Sequence, residues 1–264
     1  MAPKRRPPRW LEAARRRTGA EEDTWLSRAL ARAGVLPLAA AEQAIRAGRV
    51  RVDGAVVSEP FAPVRPDARV HLDGKVVSLG WHTRVLAFHK TAGLVTHGTD
   101  PEGIGTVFDG LLRVLPPALR GYGWHAVGRL DRDTTGLLLF TNDERFVAHA
   151  TRPETHLPKR YRATVGAPVS EDQLRALRQG VELDDGPTRP AEARQLGPDV
   201  VELVLTEGRN HQVKRMLQAV GLPTLALHRE AVGGLCCDVG PGEVREVSVV
   251  ELTRLLEYPP RQSS

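Results

Sequence analysis

At 264 residues the chain can form one large domain or two unequal ones, and can bury a core without disulfides or a structural metal. A hydrophobic fraction of 41% and a charged fraction of 26% are those of a soluble globular protein. No apolar run approaches the roughly 18 residues of a membrane span, and no apolar stretch follows the basic N-terminus, so a secretory signal is not expected. The formal charge of +5 fits a polyanionic partner without establishing one.

The two cysteines, Cys236 and Cys237, are adjacent, a spacing that strains a disulfide. They point to a reducing, cytoplasmic setting. With nine scattered histidines they offer no zinc-type spacing. The absence of Gly-x-Gly-x-x-Gly and of a phosphate-binding Gly-Lys-Ser/Thr gives no sign of a nucleotide. The expectation is therefore no metal and no cofactor.

In chain order, residues 1–22 read as a basic flexible tail. Residues 23–80 read as a separate module. Asp23 or Thr24 can cap a helix carrying Leu26, Ala29, Leu30 and Ala33 that stops at Gly34. A second helix is predicted from Leu38 to Ala47, with Gly48 beyond its end. Arg49–Val57 and Arg69–Val77 repeat one pattern: strand, Asp-Gly turn, strand, the strongest local hairpin signal. Ser78–Trp81 reads as a linker.

From Val85 onward the segments lengthen. Strands are predicted at Val85–His89, Leu137–Thr141, Tyr161–Val165 and Val200–Leu205, and helices at Asp143–Ala150, Glu171–Gln179 and His211–Ala219. The middle helix opens on a capping box, Ser170-x-x-Gln173, and closes at Gly180. Strands and helices alternate irregularly, so the fold class is α+β: a small helix-helix-hairpin module followed by a larger mixed-sheet domain.

Three stretches could carry chemistry. In Val127–Asp143, Asp131 and Asp133 sit among Arg129 and Arg132, just before the apolar run Leu137–Phe140. A charged loop pinned before a core strand can hold a reactive carboxylate, and a neighbouring arginine favours its ionised form; read by itself the stretch is equally a solvated turn. In Glu207–Leu217, Asn210 can cap a helix that places Lys214 and Arg215 beside an apolar stripe of Val213, Met216 and Leu217. That segment serves either to pair with a carboxylate or as a solvated basic face. In Leu157–Tyr161 a tyrosine enters a strand beside two bases, suited to stacking on a nucleobase or to core packing.

Together these stretches resemble the pseudouridine synthases of the ribosomal small-subunit and large-subunit branch. The resemblance rests on Gly128-Arg-Leu-Asp131 with Asp133–Asp143, on Lys159-Arg-Tyr161, and on Glu207 through Met216, in the family's order. Weaker echoes are His89–Leu94, Leu227–Arg229 and Pro241–Arg245. The likeness spans residues 84–257, the expected catalytic domain. The first module, through Gly48–Gly54, is similar to the RNA-binding fold named after ribosomal protein S-four. Two departures stand out: Leu36–Ala41 replaces the Ser-Arg-Arg start of the module's second helix, and Thr91 replaces a proline.

The resemblance implies isomerisation of a specific uridine in ribosomal RNA to pseudouridine, without a cofactor. Asp131 is then the essential carboxylate, Lys214 its partner, Tyr161 the residue that stacks on the uracil, and Arg129 the residue that enters the space a flipped base leaves. Arg28, Arg32, Arg46, Arg49 and Arg51 of the first module are the RNA-binding candidates. The implied partner is ribosomal RNA or a ribosomal subunit assembly intermediate, with no membrane, and the expected state is a monomer. The competing reading is a non-catalytic RNA-binding assembly factor.

Overall fold

The structure, a computed structural model, describes residues 24–65, 67–96, 103, 105–152, 155 and 157–260. The basic tail expected at 1–22, and Asp23 as a cap, lie outside the described residues. The chain divides into two compact units. The first takes the described residues through His82 together with Pro117–Gly123, and the second takes the rest.

The first unit runs β1 (Thr24–Trp25), α1 (Leu26–Arg32), α2 (Leu38–Arg46), β2 (Val50–Val52), β3 (Ala55–Val56), β4 (Pro63–Val64), β5 (Val70–Leu72) and β6 (Lys75–Val77). Thr24 belongs to β1, which pairs with β4, and not to a cap. The N-cap position is Trp25, whose side chain caps nothing. The hairpins form the sheet β3-β2-β5-β6. Each turns on an Asp-Gly pair with both residues at positive φ (Asp53 50°, Gly54 87°; Asp73 51°, Gly74 78°), the twist a two-residue hairpin requires.

Leu26, Leu30, Ala41, Ile45, Val50 and Val70 make this unit's core. The expected linker is not a free tether: Leu79 and Trp81 are buried, and the Arg32 guanidinium stacks 4.1 Å from the Trp81 ring centre. Residues 117–123, which lie in sequence inside the second unit, also join the first, with Gly123 N–H donating to the Ala31 carbonyl at 2.9 Å.

The second unit comprises β7 (Val85–Lys90), α3 (Val107–Val114), β8 (His125–Val127), β9 (Thr135–Thr141), α4 (Glu144–Thr151), β10 (Lys159–Val165), α5 (Glu171–Gln179), β11 (Glu182–Leu183), β12 (Gly186–Pro187), β13 (Glu192–Gly197), β14 (Val200–Leu205), α6 (Gln212–Ala219), β15 (Thr224–Val232), β16 (Leu235–Cys236), β17 (Val244–Val247) and α7 (Val249–Leu255). Its nine-stranded sheet has the order β13-β14-β10-β15-β9-β7-β17, with β8 on β9 and β16 on β15. All pairs are antiparallel except β15 with β9. The sheet is thus mixed.

Two cores cover it. One packs Leu174 and Leu177 of α5 and Val213, Met216 and Leu217 of α6 on β10 and β14. The other packs Phe146 of α4 and Leu252 of α7 on Val85, Ala87, Leu137 and Leu139. Phe140 meets Phe88 and Phe108 edge-on. Apolar cover on both sides of β9 explains why Leu137–Phe140 shows no polar alternation.

The parallel crossing of β9 and β15 depends on Gly136, which has φ 105°. A Cβ there would lie 2.2 Å from the Arg229 carbonyl oxygen. The helix boundaries also move for physical reasons. Asp143 is the N-cap of α4, accepting the Arg145 N–H. The cap position of α6 is His211, at φ 50°, and not Asn210. The α5 capping box forms as predicted.

Candidate active site

The loop from Gly128 to Thr134 joins β8 to β9, and a buried lysine fixes it from below. Lys90 closes β7 with no solvent exposure. Its ammonium donates to the carbonyl oxygens of Thr91 (3.0 Å), Arg132 (3.1 Å) and Thr134 (2.8 Å). All three protons are thereby used, which is how a buried ammonium becomes tolerable. Burial still pulls its pKa down to about 8, against the fields of Asp133 and Asp131. Thr96 adds a second tie, donating its hydroxyl to the Leu130 carbonyl at 2.7 Å.

Above this support lies a cavity of about 560 Å³ lined by Asp131 and Tyr161, a size that accommodates a small ligand or one extruded nucleotide. Its charged lining is one-sided. Among the described residues Asp131 is the single carboxylate of the lining, against Arg129, Arg132, Lys159, Arg209 and Arg229. Such a wall attracts a polyanion. Arg229 is buried, donates Nε to the Leu137 carbonyl at 2.7 Å, and leaves Nη2 without a hydrogen-bond partner among the described residues. Lys159 is held below the usual lysine range by burial and by Arg229.

Lys214, in the first turn of α6, reaches the same loop. Its ammonium lies 3.3 Å from Asp131 but 2.5 Å from Asp133. The sequence reading paired it with Asp131; the ammonium in fact bridges both, and its hydrogen bond goes to Asp133. Partial burial works against the charge of Lys214, yet the hydrogen bond to Asp133 and the fields of both aspartates raise its pKa. Asp133 is correspondingly held below the carboxylate range by that hydrogen bond.

His211 is a residue the sequence reading passed over. Its Nε2 lies 3.5 Å from Asp131. The left-handed backbone at His211 is secured by its neighbours: Gln212 accepts the Arg209 N–H at 2.9 Å and donates to Glu207 at 2.5 Å. Glu207 also accepts the Arg189 N–H. The only sequence signal was the unbroken Glu207–Gln212 motif itself.

Asp131, Tyr161 and Arg129 therefore line one cavity, and Lys214 contacts Asp131 beside it. Arg129 is exposed at its rim. The first-unit arginines are spread over that unit's surface and are already engaged. Arg46 pairs with Glu42, Arg49 grips Asp73 with two hydrogen bonds, and Arg51 donates to the Gly54 carbonyl. Arg28 covers the Trp25 ring and Arg32 the Trp81 ring. Exposed pairs of this kind are weak enough to be exchanged for phosphate. Among the described residues, the one grouping with metal-ligand chemistry is His89, His228 and Cys237, set apart from this cavity.

A mixed sheet carrying a carboxylate in a cationic cleft, preceded in the chain by a helix-helix-hairpin unit, defines a class of two-unit protein suited to nucleic acid. Residues 84–219 match the family described as RNA pseudouridylate synthase, and residues 24–70 match the S4 domain. The ribosomal large subunit pseudouridine synthase B of Salmonella typhimurium is 37% identical over 253 residues, covering 90% of this chain and 85% of the relative. The ribosomal small subunit pseudouridine synthase A of Escherichia coli K12 is 35% identical over 222 residues, covering 83% and 94%. A solved structure titled as a pseudouridylate synthase superposes with a TM-score of 0.60 at 29% identity, covering 88% of this chain and 99% of that one. The chain belongs to the RNA pseudouridylate synthase family and is a pseudouridine synthase.

Proposed function

We propose that the chain isomerises a specific uridine of ribosomal RNA, with Asp131 as the essential carboxylate. The observation that carries this reading is that Asp131 and Tyr161 line one cation-walled cavity, with the Lys214 ammonium 3.3 Å from Asp131 beside it. The relatives named above act on the ribosomal large and small subunits, which supports ribosomal RNA as substrate.

In the reaction the bond from uracil N1 to ribose C1′ breaks and a bond from C5 to C1′ forms. N1 gains a proton and the C5 proton leaves to water, so nothing is consumed. Asp131 acts on the sugar or base as a nucleophile, or removes the ribose 2′ proton; either role requires it ionised, and the Lys214 ammonium favours that state. A stacked base cannot rotate, so the target must be extruded. Tyr161 supplies a face for the uracil, and Arg129, at the rim, fills the vacated place. Arg28, Arg32, Arg46, Arg49 and Arg51 hold flanking phosphates, which makes binding salt-dependent. The enzyme works as a monomer in the cytoplasm on rRNA or an assembly intermediate.

The test is a pseudouridine map of ribosomal RNA from a deletion strain. One uridine should remain unmodified, and the wild-type chain but not Asp131→Asn should restore it. A map identical to that of the parent strain, or restoration by Asp131→Asn, would overturn the proposal. Rescue of ribosome assembly by Asp131→Asn with no change in the map would instead favour the non-catalytic assembly factor.

A further inference from the structure

His89, His228 and Cys237 come together on the side of the sheet away from Lys90 and Arg229. His89 precedes Lys90 on β7 and His228 precedes Arg229 on β15. Successive strand residues face opposite sides, so Lys90 and the cavity-lining Arg229 are separated from the two histidines by the sheet. Strand β9 lies between β15 and β7, with His228 opposite Thr135 and His89 opposite Leu137. Cys237 follows β16 and is anchored by its N–H to the Glu230 carbonyl at 2.7 Å.

One ligand-type atom from each residue lies within 4.8 Å of the others, and all three side chains are half-buried. Their orientation is fixed by neighbours. His89 Nδ1 lies 2.9 Å from the Val239 carbonyl oxygen. A carbonyl can only accept, so Nδ1 carries the proton and Nε2 presents a lone pair. His228 Nδ1 lies 2.8 Å from the Thr135 hydroxyl; in the tautomer that donates Nδ1–H to that hydroxyl, Nε2 presents a lone pair for the same role. Hydrogen bonds at the far ring nitrogen are the usual support of metal-bound imidazoles. The loop that brings in Cys237 is tied to β7 by His89 N–H to the Glu243 carbonyl and Gly242 N–H to the His89 carbonyl. The neighbouring Asp238 is occupied by Arg245 at 2.8 Å, so the set is two imidazoles and one sulfur.

We propose that His89, His228 and Cys237 form a binding site for a thiophilic divalent ion, zinc above all, with a fourth position open. Two nitrogens and a sulfur are a zinc-type set, and three protein ligands plus an open place is a known zinc arrangement. Bonds of about 2.0–2.3 Å place tetrahedral ligands about 3.3–3.8 Å apart. Atoms that already lie within 4.8 Å of one another need only a small inward movement to reach such a set. Sequence spacing conceals the site because β9 brings residues 89 and 228 together across the sheet.

Cobalt(II) tests this on the full chain, first stripped by chelator. The wild-type chain should take one equivalent and develop a thiolate-to-cobalt charge-transfer band in the near-ultraviolet, which zinc then abolishes. Only two cysteines exist, so the band has few origins: Cys236→Ser should keep it and Cys237→Ser should lose it. Thr135→Val, which leaves every ligand in place, should weaken zinc binding about tenfold. Asp131→Asn should keep the band, which separates this proposal from the catalytic one. No band in the wild-type chain, a band surviving Cys237→Ser, or one lost only in Cys236→Ser would overturn the site.

Discussion

The Lys214 ammonium is closer to Asp133, at 2.5 Å, than to Asp131, at 3.3 Å. The lysine thus fastens the start of α6 to the loop before β9 through a carboxylate that is itself 73% exposed. Asp131, with 24% of its side chain exposed, is the more sheltered of the two.

The two partners should therefore differ in consequence. An ion pair with a largely solvated carboxylate contributes at most about 1 kcal/mol, so Asp133→Asn should slow pseudouridine formation less than about fivefold. Lys214→Ala leaves Asp131 without its ammonium and should cost roughly 10–100-fold, about 1.4–2.8 kcal/mol. Single-turnover rates on an RNA substrate decide. Equal losses in both variants would mean that the Asp133 contact is the functional one.

Lys90 predicts a stability effect of definite sign. Its pKa in the fold is about 8, against an ordinary 10.5. Between these values the unfolded chain holds a proton that the folded chain has released, so this residue's contribution to stability rises with pH across that window. It is constant below about 8, where both forms are charged. Urea unfolding of wild type and Lys90→Met at pH 7.5 and 9.5 should show wild type gaining on the order of 2 kcal/mol relative to the variant. Parallel changes would show that the Lys90 proton is not linked to folding.

Asp143 predicts the same sign, stability rising with pH, in the acid range. Its side chain is 2% exposed and accepts hydrogen bonds from Thr83 at 2.8 Å, Tyr258 at 2.9 Å and the Arg145 backbone at 3.0 Å. Burial alone would raise its pKa. The hydrogen bonds from Arg145, Thr83 and Tyr258 outweigh burial and hold the pKa below the carboxylate range. That stability is present above the ordinary carboxylate pKa and lost as pH falls through the folded value. Asp143→Ala should destabilise by about 3 kcal/mol at neutral pH. Asp143→Asn should lose less stability than wild type between pH 7 and pH 3, and equal losses would remove Asp143 from the account of acid sensitivity.

What the sequence disclosed was local. Asp53-Gly54 and Asp73-Gly74 mark hairpins because the turn geometry demands those residues, and Ser170 with Gln173 marks a helix start for the same reason. The Asp131, Tyr161 and Lys214 segments were legible as motifs, and their side chains meet at one place. What it hid was set by distant neighbours. Lys90 and Arg229 fall within the weaker echoes at His89–Leu94 and Leu227–Arg229, but nothing local reveals that three carbonyl groups surround Lys90 or that Arg229 is buried. The left-handed backbone of His211, maintained by Gln212 and Glu207, carries no signal in residue type. Ser78–Trp81 looks like a tether because nothing local reveals that Arg32 covers Trp81.

The central claim is that the Asp131 carboxylate carries the chemistry, and tritium release from RNA labelled at uridine C5 tests it most directly, since the C5 proton must leave for the new carbon–carbon bond to form. Wild type should release the label, and Asp131→Asn should release none while binding the RNA with unchanged affinity. Release by Asp131→Asn at the wild-type rate would contradict the account.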